Sequence, residues 1–150
     1  MIRIYIFADS HKHFSDAIQE YQKRLWRFID LRELKPIKKW IPEQIIEAET
    51  EILREKLETE KGYKIILSPN GKNLSTEQFW EMLETQKNAG KKIVIAIGGA
   101  NGIDYTQLQD VCDMELSLGK MILPHSLALT VLLEQIYRCS EIQKWSGYHK

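Results

Sequence analysis

Apolar positions along the chain follow two alternating patterns, one typical of buried strands and the other of amphipathic helices. Short runs rich in β-branched and aromatic residues predict five strands, over 2–8, 31–37, 63–67, 93–97 and 114–118. Apolar residues at helical spacing predict five helices, near 14–28, 42–57, 75–83, 104–112 and 126–144. Every predicted strand is therefore followed by a predicted helix.

Local sequence signals mark several of these boundaries. Pro42 stands where a first-turn proline would open a helix, and Ser75 with Gln78 fits a capping box at the start of the next helix. The segment 68–72 is dense in turn-forming residues. Because parallel strands need helix-length connections, the alternation predicts an α/β fold with a mostly parallel sheet and helices on both faces.

Composition narrows the class of protein. At 150 residues and 43% hydrophobic, the chain is predicted to form a single domain over 1–150 with a real core. No apolar run approaches the roughly 20 residues of a membrane-spanning helix, and residues 1–4 enter a strand pattern rather than a signal peptide, which predicts a cytoplasmic protein without a membrane. Cys112 and Cys139 lie far apart, so buried thiols are favoured over a zinc site, and no metal is expected.

The 21 basic residues are balanced by 21 acidic ones, so any RNA binding needs a local positive face. The segment 120–150 offers one, because its basic residues outnumber its acidic ones. The basic residues there are Lys120, His125, Arg138, Lys144, His149 and Lys150, opposed by Glu134 and Glu141. Such a face could hold RNA phosphates, or could be a solvated helix end whose cations complement the helix dipole, the reading we favour for Lys144.

Two glycine-containing loops follow predicted strands, at 68–73 and 98–103. In parallel α/β sheets ligands bind beyond the carboxyl ends of strands, where glycine lets main-chain N–H groups approach a ligand. Neither loop has the spacing of a P-loop or a dinucleotide fingerprint, so a plain tight turn is equally consistent with each. Only 48 residues follow Gly102, too few for a Rossmann domain, so the ligand loops must come from the C-terminal third.

The last three residues, Tyr148, His149 and Lys150, combine a stacking face, a group that titrates near neutrality and a cation. This combination suits the handling of a base splayed out of an RNA, although a disordered, silent end is the usual alternative for terminal residues. His125, directly after Pro124, could contact RNA or could cap the last helix, and we favour the capping role.

Four segments resemble, in order and spacing, the RlmH family of ribosomal RNA methyltransferases. They are the I-G-G-x-x-G pattern of 97–102, the run SLGKMILPH of 117–125, LEQIYR of 133–138, and YHK of 148–150. Residues 67–75 (LSPNGKNLS) are similar to the family's L-D-x-x-G-K-x-x-S segment. The resemblance covers nearly the whole chain and is densest from Tyr63 onward.

The resemblance implies a SPOUT α/β fold with a C-terminal trefoil knot, a homodimer, and methyl transfer from S-adenosylmethionine to N3 of a pseudouridine in 23S rRNA of the large ribosomal subunit. Such a knot departs from the usual rule that chains do not thread loops. Catalytic roles are implied for His149, the candidate base, and Tyr148, and RNA contacts for Arg138, Lys150 and His125. Cofactor contacts are implied for Leu67, Gly98, Gly99, Gly102, Leu118, Gly119, Lys120, Met121, Ile122 and Leu123.

The chain departs from the family's pattern at several positions. Ser68 replaces an acidic residue, Leu129 an arginine and Gly147 a proline, and Gly119 stands in a segment that is often S-x-S-x-M-T. The early Gly-Lys is Asp9-Ser10 here. Two alternatives therefore stay open: a catalytically silent RNA- or ribosome-binding relative, and a methyltransferase acting on a different RNA.

Tryptophan content gives separate support for a homodimer. The chain has four tryptophans, more than so short a core readily buries, and tryptophan is enriched at interfaces. They are Trp26, Trp40, Trp80 and Trp145. Trp145 is the best candidate for an interface or base-stacking residue, with an ordinary core anchor as the alternative.

Overall fold

The computed structural model describes residues 1–38 and 41–150, so Trp40 lies outside the described residues. Five strands occur in these ranges: β1 (Ile2–Phe7), β2 (Ile29–Leu34), β3 (Tyr63–Asn73), β4 (Ile93–Ile97) and β5 (Met114–Ser117). The α-helices of the same ranges are α1 (Ser15–Arg24), α2 (Pro42–Thr59), α3 (Thr76–Asn88) and α4 (His125–Gln143). Short 3-10 turns at Lys12–Phe14 and Tyr105–Gln107 precede α1 and β5.

The five strands form one sheet in the order β2-β1-β4-β3-β5. Each neighbouring pair is parallel, which confirms the predicted fold class. The most apolar strand, β4, occupies the centre, and all five of its residues are buried. Since the strands run the same way, the carboxyl ends of β3, β4 and β5 meet at one edge of the sheet.

Helices cover both faces, as the sequence predicts. On one face α1, α3 and α4 pack against alternate strand residues such as Ile4, Ile65 and Ile95. On the other face α2 packs through Leu53 and Leu57. Within the described ranges, every helix is too short or too polar to span a bilayer.

The predicted helix starts are confirmed at two positions. Pro42 is the first residue of α2, where its missing N–H costs no hydrogen bond. The Ser75 hydroxyl accepts the Gln78 N–H at 3.1 Å, and the Gln78 side chain accepts the Ser75 N–H at 2.9 Å. This reciprocal pair is the predicted capping box and fixes the start of α3 just after β3.

Two predicted elements are wrong. The predicted helix over 104–112 is absent, because successive i to i+3 hydrogen bonds form tight turns there and Asp104 caps only the 3-10 turn. The predicted turn at 68–72 lies inside β3, where Leu67 and Lys72 both pair with Leu116, so four extra residues bulge from the ladder. In addition, β2 lies two to three residues earlier than the predicted strand over 31–37.

At the amino-terminal edge of the sheet, the largely buried carboxylate of Glu60 binds two cationic side chains and one hydroxyl group. Glu60 accepts hydrogen bonds from Tyr5 Oη at 2.6 Å, Arg3 Nη1 at 2.7 Å and Lys92 Nζ at 2.9 Å. Burial acts to raise the pKa of Glu60, but these three donors outweigh it and lower the pKa from 4.5 to about 2. The network joins the end of α2 to β1 and the approach to β4.

We expect the substitution Glu60→Gln to lower the free energy of unfolding at pH 7 by about 1–3 kcal/mol, the scale set by this pKa change. Because the folded-state pKa is depressed, the stabilisation is complete above about pH 4.5 and is lost as the pH falls through about 2. Urea titrations of both proteins between pH 7 and 2 test this. A stability difference that stays constant down to pH 2 would contradict the assignment.

Candidate functional site

The carboxyl ends of β3, β4 and β5 surround a cleft of about 600 Å³. Its walls come from three segments, 67–69 within β3, 97–102 at the end of β4 and after it, and 118–128 through the start of α4, together with Tyr105. The structure brings together most of the predicted cofactor residues here, namely Leu67, Gly98, Gly99, Gly102, Leu118, Gly119, Met121, Ile122 and Leu123. Lys120 is the exception, since it is exposed and does not line the cleft.

The glycine loop after β4, residues 98–102, forms one wall with its main chain. A Cβ on Gly98 would lie 3.1 Å from the side chain of Ile103, and one on Gly99 would lie 2.8 Å from Glu49 Oε1. The N–H of Gly102 closes the loop by donating to Gly99 O at 3.0 Å, and the φ of Gly102 is +78°, in the left-handed region. Glycine is therefore required for the loop to pack this closely.

The loop after β5, residues 118–124, forms the facing wall. Gly119 has a φ of +142° and is held by Ser117, whose Oγ accepts the Gly119 N–H at 3.1 Å and donates to Gly119 O at 2.7 Å. Met121 and Ile122 line the cleft but are each 84% exposed. Two adjacent large apolar side chains this exposed form a surface that a ligand or a partner would cover.

A buried polar network beside the cleft was missed by sequence reasoning. His11 is only 8% exposed; its Nδ1 lies 2.8 Å from Ser126 Oγ and its Nε2 lies 2.7 Å from Glu33 Oε1. It thereby joins the loop after β1 to β2 and to the first turn of α4. Glu33 lies 22 positions and Ser126 lies 115 positions after His11 in the sequence, so no local pattern could have revealed these contacts.

His125 lines the cleft rather than capping α4. The helix begins at His125 behind an N-cap at Pro124, and no side chain caps it, so the favoured capping role is wrong. Burial, and then the proximity of His11, lower the pKa of His125 below its ordinary 6.5. The imidazole is therefore neutral near pH 7, which suits hydrogen bonding at the cleft better than charge attraction to a phosphate.

Neither predicted catalytic residue lines the cleft. Tyr148 packs edge-on against Tyr137, with ring centroids 5.0 Å apart, and its hydroxyl lies 3.3 Å from Glu134 Oε1. His149 Nε2 lies 2.9 Å from Glu77 Oε1 in the first turn of α3. The C-terminal tail, residues 144–150, thus folds back along α4 toward α3.

The tail and the cleft are separated along α4. The cleft wall ends at Ala128, six residues before Glu134, which corresponds to about 9 Å along the helix axis. Arg138 forms an ion pair with Glu134 at 2.6 Å, and its guanidinium lies 4.8 Å from the Tyr148 ring centroid. Lys150 is exposed. The predicted catalytic and cofactor residues therefore do not meet within one chain.

The tryptophans of the described residues differ in environment. Trp80 packs against the core formed with α3 and α4. Trp26 is 67% exposed and Trp145 is 94% exposed, so the core-anchor alternative for Trp145 is wrong. The predicted interface or base-stacking role of Trp145 is compatible with this exposure and stays a prediction.

The character of the cleft fits a nucleoside held mainly by main chain. Apolar surface comes from Leu67, Met121 and Ile122, and only Tyr105 and His125 among the lining residues carry titratable side chains. Flat apolar walls with a few polar groups are typical of sites for cofactors that contain a base. Among the described residues, no group of three or more His, Cys, Asp or Glu side chains is placed to hold a metal ion.

The family model and the relatives that this chain matches are all described as methyltransferases. The family model described as "Predicted SPOUT methyltransferase" matches residues 1–149. A protein of Lysinibacillus sphaericus named Ribosomal RNA large subunit methyltransferase H is 41% identical over 150 residues, covering 93% of this chain and 92% of that protein. Proteins of the same name from Bacillus cytotoxicus and Francisella tularensis are 37% and 34% identical, covering 93% and 97% of this chain and 92% and 89% of theirs.

A solved structure is also similar in fold. It is a crystal structure from Bacillus anthracis described as a candidate RNA methyltransferase, and it superposes with a TM-score of 0.57. The match covers 94% of this chain and 95% of that chain at 12% identity. At this identity the likeness concerns the fold alone.

Proposed function

Because the chain belongs to the SPOUT methyltransferase family, we propose that it transfers a methyl group from S-adenosylmethionine to ribosomal RNA of the large subunit, at N3 of a pseudouridine in 23S rRNA. Relatives named as large-subunit methyltransferases are similar along nearly their full length. The observation that carries the proposal is that the loops 97–102 and 118–123 line the same cleft.

Main-chain groups and side chains of the cleft would bind different parts of the cofactor. Main-chain groups of the two loops hydrogen-bond the nucleoside, and the side chains of Leu67, Met121 and Ile122 enclose the adenine. When bound there, S-adenosylmethionine supplies a methyl group activated by a positively charged sulfur. The protein's main contribution is to hold the target base and the cofactor in near-attack geometry.

The target nitrogen must lose a proton, and His149 is the candidate base. Its Nε2 is paired with the Glu77 carboxylate, and its Nδ1 has no hydrogen-bond partner among the described residues. Because Nδ1 is buried in the single chain, the tail must shift before this nitrogen can reach an RNA base. A carboxylate that holds one ring nitrogen as a donor leaves the other as a lone-pair acceptor for the proton. Tyr148 would stack on the base, and Lys150 and His125 would contact the RNA.

A homodimer is part of this proposal, because the tail and the cleft lie apart in one protomer. The tail of a second copy could complete the cleft, and the exposed Met121 and Ile122 and the exposed Trp145 are available for such an interface. We expect light scattering to give twice the chain mass of 17.6 kDa. A monomeric mass at micromolar concentration would contradict the dimer and with it a site built by two subunits.

A C-terminal trefoil knot also belongs to the proposal. In support, the segment after β5 lies beside the glycine loop at the centre of the sheet edge and then continues into α4, the longest helix in the described ranges. Action on ribosomal RNA would place the protein in the cytoplasm.

Two measurements separate the proposed enzyme from the alternatives. Calorimetry is expected to show S-adenosylmethionine binding in the micromolar range, whereas a catalytically silent RNA-binding relative would bind none. Mass mapping of ribosomal RNA from a strain lacking the gene is expected to show the loss of one methylpseudouridine in 23S rRNA. An unchanged 23S rRNA, together with cofactor binding, would indicate a methyltransferase that acts on a different RNA.

A further inference from the structure

A buried carboxyl group lies directly behind the glycine loop of the cleft. Glu49 on α2 is 1% exposed, and its Oε2 accepts the Ile37 N–H at 3.1 Å. Its Oε1 is buried and has no hydrogen-bond partner among the described residues. An unpaired buried carboxyl oxygen is costly to folding, so its presence calls for a compensating role.

The position of this oxygen points toward the cleft. A Cβ built on Gly99 would lie 2.8 Å from Glu49 Oε1, so the carboxyl group rests against the main chain of a residue that lines the cleft. Because Gly99 has no side chain, only one glycine separates the carboxyl group from whatever the cleft holds. In a position this buried, a charge on the carboxyl group is screened less than it would be in water, so it acts over several ångströms.

The walls of the cleft lack a negative charge of their own. None of the residues that line it in the described chain is acidic, and Ser68 stands in the wall where the resembling family has an acidic residue. Burial raises the pKa of Glu49, so its charge is held weakly and a cation in the cleft would stabilise it. Glu49 is therefore placed directly behind the wall of the cleft, where its carboxyl group can complement a positive ligand.

We propose that Glu49 is a specificity-determining residue that favours the positively charged sulfonium of S-adenosylmethionine over the neutral thioether of S-adenosylhomocysteine. The inference rests on the proposed function, since it requires that the cleft holds this cofactor. Glu49 acts through the Gly99 main chain without touching the ligand. Its effect is to bind the methyl donor and to release the demethylated product, which differs from the donor at the sulfur by one methyl group and one charge.

The test compares the affinities of the two ligands by calorimetry. In Glu49→Gln, which keeps the shape and an oxygen for the Ile37 N–H, the affinity for S-adenosylmethionine should fall about tenfold. The affinity for S-adenosylhomocysteine should stay within about twofold. Thr50→Val is the matched control, because the neighbouring Thr50 hydroxyl accepts the Asp104 N–H at 2.9 Å and supports the same loop without charge. In this variant both affinities should change by the same factor.

Equal changes for both ligands in Glu49→Gln, or none, would overturn the inference and leave the proposed function standing. Absence of binding of either ligand to the unaltered protein would instead remove the proposed function. If thermal melting shows that Glu49→Gln is not folded, the test is made on the unaltered protein by comparing its affinities for the two ligands. It should bind S-adenosylmethionine at least tenfold more tightly than S-adenosylhomocysteine, and equal affinities would overturn the inference.

Discussion

Replacing His149 with alanine is expected to slow methyl transfer to ribosomal RNA by about 10²- to 10⁴-fold, the usual contribution of a general base. Affinity for S-adenosylmethionine should stay within about threefold, because His149 does not line the cleft of its own protomer. The melting temperature should change little, since the side chain makes one polar contact, to Glu77. Single-turnover rates with ribosomal RNA, calorimetry and thermal melting measure these three effects.

Glu77→Gln is the control for this variant. It weakens the ion pair with His149 but leaves the imidazole in place, so a loss of no more than about tenfold in rate is expected. If both variants lost the same large factor, His149 would depend on the Glu77 carboxylate for its position and tautomer, and the imidazole alone would not suffice. Undiminished methylation by His149→Ala would remove this residue from the role of base.

The second large effect is expected at Gly102, where Gly102→Val should weaken S-adenosylmethionine binding by about 100-fold or more. The φ of Gly102 is +78°, and a Cβ there would meet no protein atom within 4 Å. Since Gly102 lines the cleft, a side chain placed there is expected to enter the space of the candidate cofactor site. A valine would fill it and would also strain the left-handed backbone by about 1–3 kcal/mol.

The chain contains a matched control for this backbone strain. Gly90, in the turn between α3 and β4, has a φ of +70° and equally open space around its Cβ, but it does not line the cleft. Gly90→Val should therefore lose similar stability in urea unfolding and keep its affinity for S-adenosylmethionine. Equal affinities in the two variants, whether retained or lost, would argue against a cofactor in the cleft.

The fold class could be predicted because its signals are local. The run of 93–97 is apolar at every position, as a central strand buried on both faces requires, and Ser75 with Gln78 fixes a helix start within four residues. A helix was wrongly predicted over 104–112 because apolar residues such as Leu108 and Val111 have helical spacing. Their N–H groups instead form i to i+3 turns, in which the same residues still reach the core.

The position of two loops after strands already predicted a ligand site at 68–73 and 98–103, but only the resemblance indicated the wall at 118–123. The walls of the cleft are separated by up to about 60 residues of sequence, so no local pattern joins them. The His11 network and the buried Glu49 were not predictable at all, because their contacts depend on how α2, β2 and α4 approach the sheet. The position of the tail is likewise set by tertiary contacts, those of Tyr148 with Glu134 and of His149 with Glu77. A sequence motif gives the types of the tail residues, but it does not show at which surface these residues lie.

The main chains of 98–102 and 118–123 are expected to bind the nucleoside of S-adenosylmethionine together. A crystal structure of the protein soaked with this cofactor is the sharpest test. Electron density for the nucleoside is expected between the two loops, with the adenine enclosed by Leu67, Met121 and Ile122. Density for the cofactor at another surface, or a cleft that stays empty at saturating cofactor, would contradict it.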